Sequence, residues 1–156
     1  MLLNEIFDKV LDYQGPIVNG GLVMYTFKIG DLNYIVKFLD VKTKFIDYEF
    51  ENLISSDEEP PENVVEISYG LNLGYKVEMG VSGTGNSIQV FSTVLDIIQK
   101  QLTKMNYRFV VFSAKEESRQ KMYDRLSKMI AKNSQMSLVD TFSDETGKNY
   151  ILQRKT

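Results

Sequence analysis

The sequence contains no cysteine and no histidine. Disulfides, Ser-His-Asp and Cys-His nucleophile systems, histidine proton shuttles and the usual zinc sites are excluded together. Proton transfer is left to Asp, Glu, Tyr, Lys or water. A metal site would have to be built from oxygen ligands alone. The lack of cysteine agrees with a reducing compartment. No run approaches the ~20 apolar residues of a membrane-spanning helix. The start, Met1-Leu2-Leu3-Asn4-Glu5-Ile6, has no basic region ahead of an apolar stretch and does not read as a signal peptide.

What is present is an ordinary globular composition: 156 residues, 43% hydrophobic and 25% charged. That length is enough for a packed core and predicts a single domain over residues 1–156. The net charge is −3, unevenly placed. Residues 100–132 carry nine basic side chains against three acidic ones, while the rest carries nine against eighteen. The basic stretch reads as a solvated helix face or as a surface for an anionic partner.

Hydrophobic periodicity divides the chain. Leu2, Leu3, Ile6, Phe7, Val10 and Leu11 follow helical spacing and predict a short N-terminal helix. Gln14 to Gly21 reads as a loop from its Gly, Pro and Asn content. Val23, Tyr25, Phe27 and Ile29, then Tyr34, Val36 and Phe38, alternate around Gly30-Asp31 and predict a hairpin. Ile46, Tyr48 and Phe50 suggest a further strand, and residues 55–62 an acidic loop stiffened by Pro60-Pro61. Val65, Ile67, Tyr69 and Leu71, then Tyr75, Val77, Met79 and Val81, give two more strands. The period then changes to 3.6. Phe91, Val94, Leu95, Ile98, Leu102 and Met105 trace one helix face, widened by Val90 and Ile97. Phe109 to Phe112 reads as a buried strand. Ser113-Ala114-Lys115-Glu116 has the form of a capping box opening a second helix, lined by Met122, Leu126, Met129 and Ile130. Leu138 to Leu152 closes with a hairpin around residues 144–147. The fold class expected is α+β (mixed α/β): a largely antiparallel central sheet with two helices packed on it.

The segment Gly80-Val81-Ser82-Gly83-Thr84-Gly85-Asn86 joins a strand to the long helix. Glycine lets the main chain turn sharply and lets a ligand approach it. The first helical N–H groups have no internal partners, and the helix dipole makes that end positive, so a phosphate suits it. A plain strand-to-helix turn uses glycine in the same way. The segment is not a Walker A loop, because no lysine follows Gly85. Nor is it the dinucleotide fingerprint, whose glycines run G-x-G-x-x-G.

With that loop, helix, strand, helix and closing strands in order, residues 75–154 resemble the core of the GCN5-related N-acetyltransferases (GNAT superfamily). Gly83 and Gly85 match the two small positions of the family's loop, and Tyr123 stands where its second-helix tyrosine stands. Gly80 replaces the Gln or Arg of the first motif position, and the family's Asn and Ala fall on Glu116 and Arg119. The resemblance implies that Ser82, Gly83, Thr84, Gly85 and Asn86 hold the pyrophosphate of acetyl-CoA or CoA. It implies that the strand near Met79 to Val81 polarises the thioester carbonyl, and that Tyr123 protonates the departing thiolate. It implies too that a carboxylate or water takes the proton of the incoming amine; Glu78 or Glu66 could serve, and nothing in the sequence selects between them.

Thr84-Gly85-Asn86 through Val94, with Phe112 to Arg119 and Met122-Tyr123-Asp124-Arg125-Leu126, also looks like small bacteriophage proteins of uncharacterised function with a GNAT-like fold. That resemblance implies a phage setting, in the cytoplasm of a bacterial host or in the virion. Two functions follow as expectations: an acyl-CoA-dependent N-acyltransferase, or a catalytically silent GNAT-like module that binds a host or phage protein as an anti-defence factor, regulator or virion accessory. No membrane partner is expected. Nucleic acid is disfavoured by the overall acidity and by the lack of aromatics interleaved with the basic residues.

Overall fold

The computed structural model describes residues 9–40, 64–72, 77–78, 87–114, 117–133, 135–144 and 147–155. The expected N-terminal helix, the strand at Ile46 to Phe50, the acidic loop at 55–62 and the ends of the strand at 75–81 fall on residues outside these. The described elements are β1 (Tyr13–Asn19), β2 (Leu22–Ile29), β3 (Leu32–Asp40), β4 (Val64–Asn72), β5 (Val77–Glu78), α1 (Ser87–Lys104), β6 (Phe109–Ala114), α2 (Glu117–Asn133), β7 (Met136–Asp144) and β8 (Gly147–Arg154).

The strands form one eight-stranded sheet in the order β1-β2-β3-β4-β6-β8-β7, with β5 attached to β4. Every described ladder is antiparallel except that between β4 and β6. The fold is therefore the mixed α+β class that periodicity indicates. β1–β2 and β2–β3 are joined by two-residue turns whose first central residue, Gly20 or Gly30, has φ of 61° or 58°. Such turns match the twist of the flanking strands and favour glycine at that position.

Alternation fixes the two faces. One row crosses the sheet through Val23, Phe38, Ile67, Phe112 and Tyr150; another runs through Tyr25, Val36 and Tyr69. These side chains meet Phe91, Val94, Leu95 and Ile98 of α1 and Tyr123, Leu126 and Ile130 of α2 in one buried core. Both helices are crossovers between parallel strands running the same way along the sheet, and right-handed crossovers place both on one face. Each large apolar side chain so buried stabilises the fold by roughly 1.5–3 kcal/mol.

Two expectations are corrected. Residues 13–19 are a strand, not part of a loop. Among the described residues β1 is an edge strand, where Pro16 removes no needed ladder bond, and its register shifts between Gln14 and Ile17. Ser113 does not cap the second helix. It lies in β6 opposite Asn149, Ala114 pairs with Lys148, and α2 begins at Glu117. A strand ladder accounts for those backbone groups before a cap is needed. Among the described residues no helix is long and apolar enough to cross a membrane.

Candidate functional site

The single parallel junction among the described ladders is the most informative place in the sheet. β4 and β6 pair from Val64↔Phe109 to Ile67↔Phe112, and there the described ladder ends. β4 continues to Asn72, held on its other edge by β3 as far as Leu71↔Tyr34. β5 pairs with Leu71 and Asn72. Because β3 already holds the opposite edge, β5 must sit on the edge that faced β6. Residues 68–70 lie between the two ladders as described, and the chain following Glu78 lies outside the described residues. β6 itself runs on to Ala114 beside β8, so the end of the parallel ladder is where β6 parts from β4. It lies at the carboxyl end of β4, the end from which the chain leaves toward α1. In open sheets with parallel strands, ligands bind at the carboxyl ends of the strands, beside the crossover helix.

Tyr123 covers this junction from the helix side. It is fully buried. Its ring lies 5.7 Å from that of Tyr69, 5.2 Å from that of Phe112 and 6.3 Å from that of Tyr150. It thus touches β4 just beyond the last β4–β6 pair and β6 at that pair. The helical period that buries Leu126 and Ile130 turns it inward. Behind it, Tyr150 donates a 2.9 Å hydrogen bond to the Gln120 carbonyl, and Lys148 lies 3.2 Å from Asp124. Burial, and then the Asp124 carboxylate, push the Tyr150 phenol above its ordinary range. Burial alone would raise Asp124, but contacts from Tyr150 and Lys148 outweigh it and hold the carboxyl below its usual range.

The other face of the junction carries a carboxyl in an apolar row. Leu22, Leu39, Glu66, Val111 and Ile151 are neighbours across five strands. Desolvation raises Glu66 above the usual carboxylate range. Alternation puts it on the same face as Ser68 and Gly70, one residue before the last β4–β6 pair.

Other positions singled out by the sequence are placed as follows. Ser82, Gly83, Thr84, Gly85 and Asn86 lie outside the described residues; α1 begins immediately after them, at Ser87. Glu78 is in β5, opposite Leu71. Several cations of the 100–132 stretch have local structural contacts. Lys100 lies 3.7 Å from Asp96 and 4.9 Å from the Tyr13 ring centre. Arg108 lies over Phe109 and Arg125 over Phe91. The end of the parallel ladder escaped sequence reasoning, because alternation reports which face a side chain takes and not where a ladder stops. A glycine at position 70 inside an otherwise regular strand was the available signal.

No family model and no curated protein matches the sequence. Among solved structures, the chain is similar to AAC(6′)-Ib in complex with ribostamycin and coenzyme A, with a TM-score of 0.46 and 12% identity over 86% of this chain and 64% of that one. It is similar to AAC(6′)-Ib in complex with parmomycin and acetyl-CoA, at 0.44 and 10% over 86% and 65%. It is also similar to an uncharacterised protein from Bacillus halodurans, at 0.44 and 9% over 88% and 60%. The chain spans a little under two thirds of the length of each. Likeness at this level leaves activity to the chemistry of the residues themselves.

Proposed function

We propose that the chain is an acyl-CoA-dependent N-acyltransferase whose site is at the end of the β4–β6 ladder. The observation that carries the reading is the end of the parallel ladder at Ile67↔Phe112, with Tyr123 packed over it. A strand edge beyond the end of a parallel ladder suits an extended chain bearing amide groups, and Gly70 adds no side chain there. The bound thioester supplies the activated acyl group. Main-chain groups at residues 68–70 orient it. Ser82, Gly83, Thr84, Gly85 and Asn86 precede α1 and are the residues we assign to the donor's phosphates. Glu66, with its raised proton affinity, takes the proton of the incoming amine; Glu78 is the second candidate base. Tyr123 returns a proton to the departing thiolate.

We further propose a single domain over residues 1–156 acting in a bacteriophage setting, in the host cytoplasm or the virion. A second reading, a silent module that binds a host or phage protein, is favoured by one observation: Tyr123 is wholly buried, so acid catalysis requires the donor to reach the aromatic cluster. Nucleic acid remains the less favoured partner.

The deciding experiment is thermal unfolding with CoA and acetyl-CoA, because a ligand that binds only the native state raises the melting temperature. A concentration-dependent rise that is reduced by Gly70→Val supports the site. No rise at millimolar CoA sinks the enzyme reading and leaves the binding module.

A further inference from the structure

We propose that Asn19 is a site of spontaneous covalent modification, by cyclisation onto the main-chain nitrogen of Gly20. Asn19-Gly20 is the only Asn-Gly step in the chain. It closes the β1–β2 hairpin: Asn19 is the last residue of β1 and pairs with Leu22, while Gly20 and Gly21 form the turn. All three turn-side residues are exposed. Nothing lies within 4 Å of where a Gly20 side chain would stand, and Gly20 has φ of 61°. The turn is thus open to solvent beside the Gly20 Cα, and glycine imposes little torsional barrier on the approach of the Asn19 side chain to its nitrogen.

The step balances within the chain and solvent. The Gly20 nitrogen gives up its proton to hydroxide and attacks the Asn19 side-chain carbonyl carbon. A nitrogen–carbon bond forms, the bond to the side-chain amide nitrogen breaks, and ammonia leaves. Water then opens the five-membered ring at either carbonyl, giving aspartate or isoaspartate, so one ammonia is exchanged for one water. The products are not innocuous here. The Gly21 carbonyl accepts a 2.7 Å hydrogen bond from the Asp40 N–H. Isoaspartate adds a methylene to the main chain between the Asn19↔Leu22 pair and that bond, which loosens the end of β1.

The test is storage of the full chain in mildly alkaline buffer at physiological temperature, followed by peptide mapping. Conversion adds about one mass unit. The peptide containing Asn19 is expected to gain it several-fold faster than the peptides containing Asn86-Ser87 and Asn133-Ser134, with isoaspartate as the larger product. Asn19→Gln is expected to stop the change at that position while the chain keeps its circular dichroism spectrum, and stored wild type to unfold at a lower temperature than fresh. An Asn19 peptide that stays unchanged, or converts no faster than the two Asn-Ser peptides, overturns the proposal.

Discussion

The ring of Tyr123 stands edge-on to that of Tyr69, centroids 5.7 Å apart and planes at 75°. One residue comes from α2 and the other from β4, two residues beyond the last β4–β6 pair. The contact couples the helix to the strand edge we assign to the acyl donor. Edge-to-face aromatic pairs contribute about 0.5–1.5 kcal/mol beyond the area they bury. A change at either ring should therefore be felt in stability as well as in any transfer reaction.

Tyr123→Phe keeps the ring contacts and removes the phenol. Unfolding free energy should change by about 1 kcal/mol or less. Acyl transfer should fall by about 10²- to 10⁴-fold if the phenol is the general acid, with CoA affinity unchanged. Tyr123→Ala should cost about 3–5 kcal/mol through the cavity it leaves. Urea denaturation and single-turnover acetyl transfer separate the two effects. Full activity in Tyr123→Phe would remove the acid from the mechanism.

Glu66 should make stability fall as pH rises. Its folded-state pKa is raised by desolvation. The native state therefore favours the protonated form, and this contribution is complete below the unfolded value and lost as pH climbs through the raised folded one. Glu66→Gln carries no such loss. The variant should match wild type at acid pH and become progressively the more stable of the two toward neutrality, while acyl transfer disappears. A pH series of urea midpoints that stays parallel for the two proteins would contradict the burial argument.

The core was readable from the sequence because it rests on periodicity. Phe91, Val94, Leu95, Ile98 and Leu102 are buried as their spacing indicates, and Tyr25, Phe27, Val36 and Phe38 occupy the inner face of the hairpin. Three things were not readable. β1 hid behind Gly15 and Pro16 because composition marks a loop, while an edge strand tolerates both. Ser113 mimicked a cap because a local motif cannot know that a ladder with β8 will hold its main chain. Tyr123 was legible as a position, but its enclosure by Tyr69, Phe112 and Tyr150 was not.

Gly15 should not tolerate a side chain. Its φ is 131°, and a Cβ would stand 2.7 Å from the Met24 carbonyl oxygen and 2.8 Å from Cδ1 of Tyr25. The oxygen belongs to a main chain held in two ladders and has little room to move. Gly15→Ala should destabilise by about 1–3 kcal/mol. Amide exchange should rise first along β1. A variant as stable as wild type would mean that β1 is not seated against β2 as described.

Arg154 should prove to be the clamp at the end of α1. Its Nε donates to the Tyr107 carbonyl at 2.8 Å, and its Nη2 donates to the carbonyls of Leu102 at 3.2 Å and Met105 at 3.1 Å. The last carbonyls of a helix lack partners of their own and carry the negative end of the dipole, so a guanidinium suits them doubly. The same residue's N–H bonds the Arg108 carbonyl, which fixes β8 to the chain entering β6. Bonds from a charged donor are worth roughly 1.5–3 kcal/mol each when sheltered and less when wet. Because part of this set is exposed, Arg154→Ala should lose about 1–3 kcal/mol in all, seen as a lower urea midpoint at constant slope. Arg154→Lys should recover only part of it, because an ammonium cannot present the planar fork that serves three carbonyls at once. If lysine restores full stability, the residue acts through charge alone and the fork geometry is irrelevant; if alanine has no effect, the α1 terminus is held by other contacts.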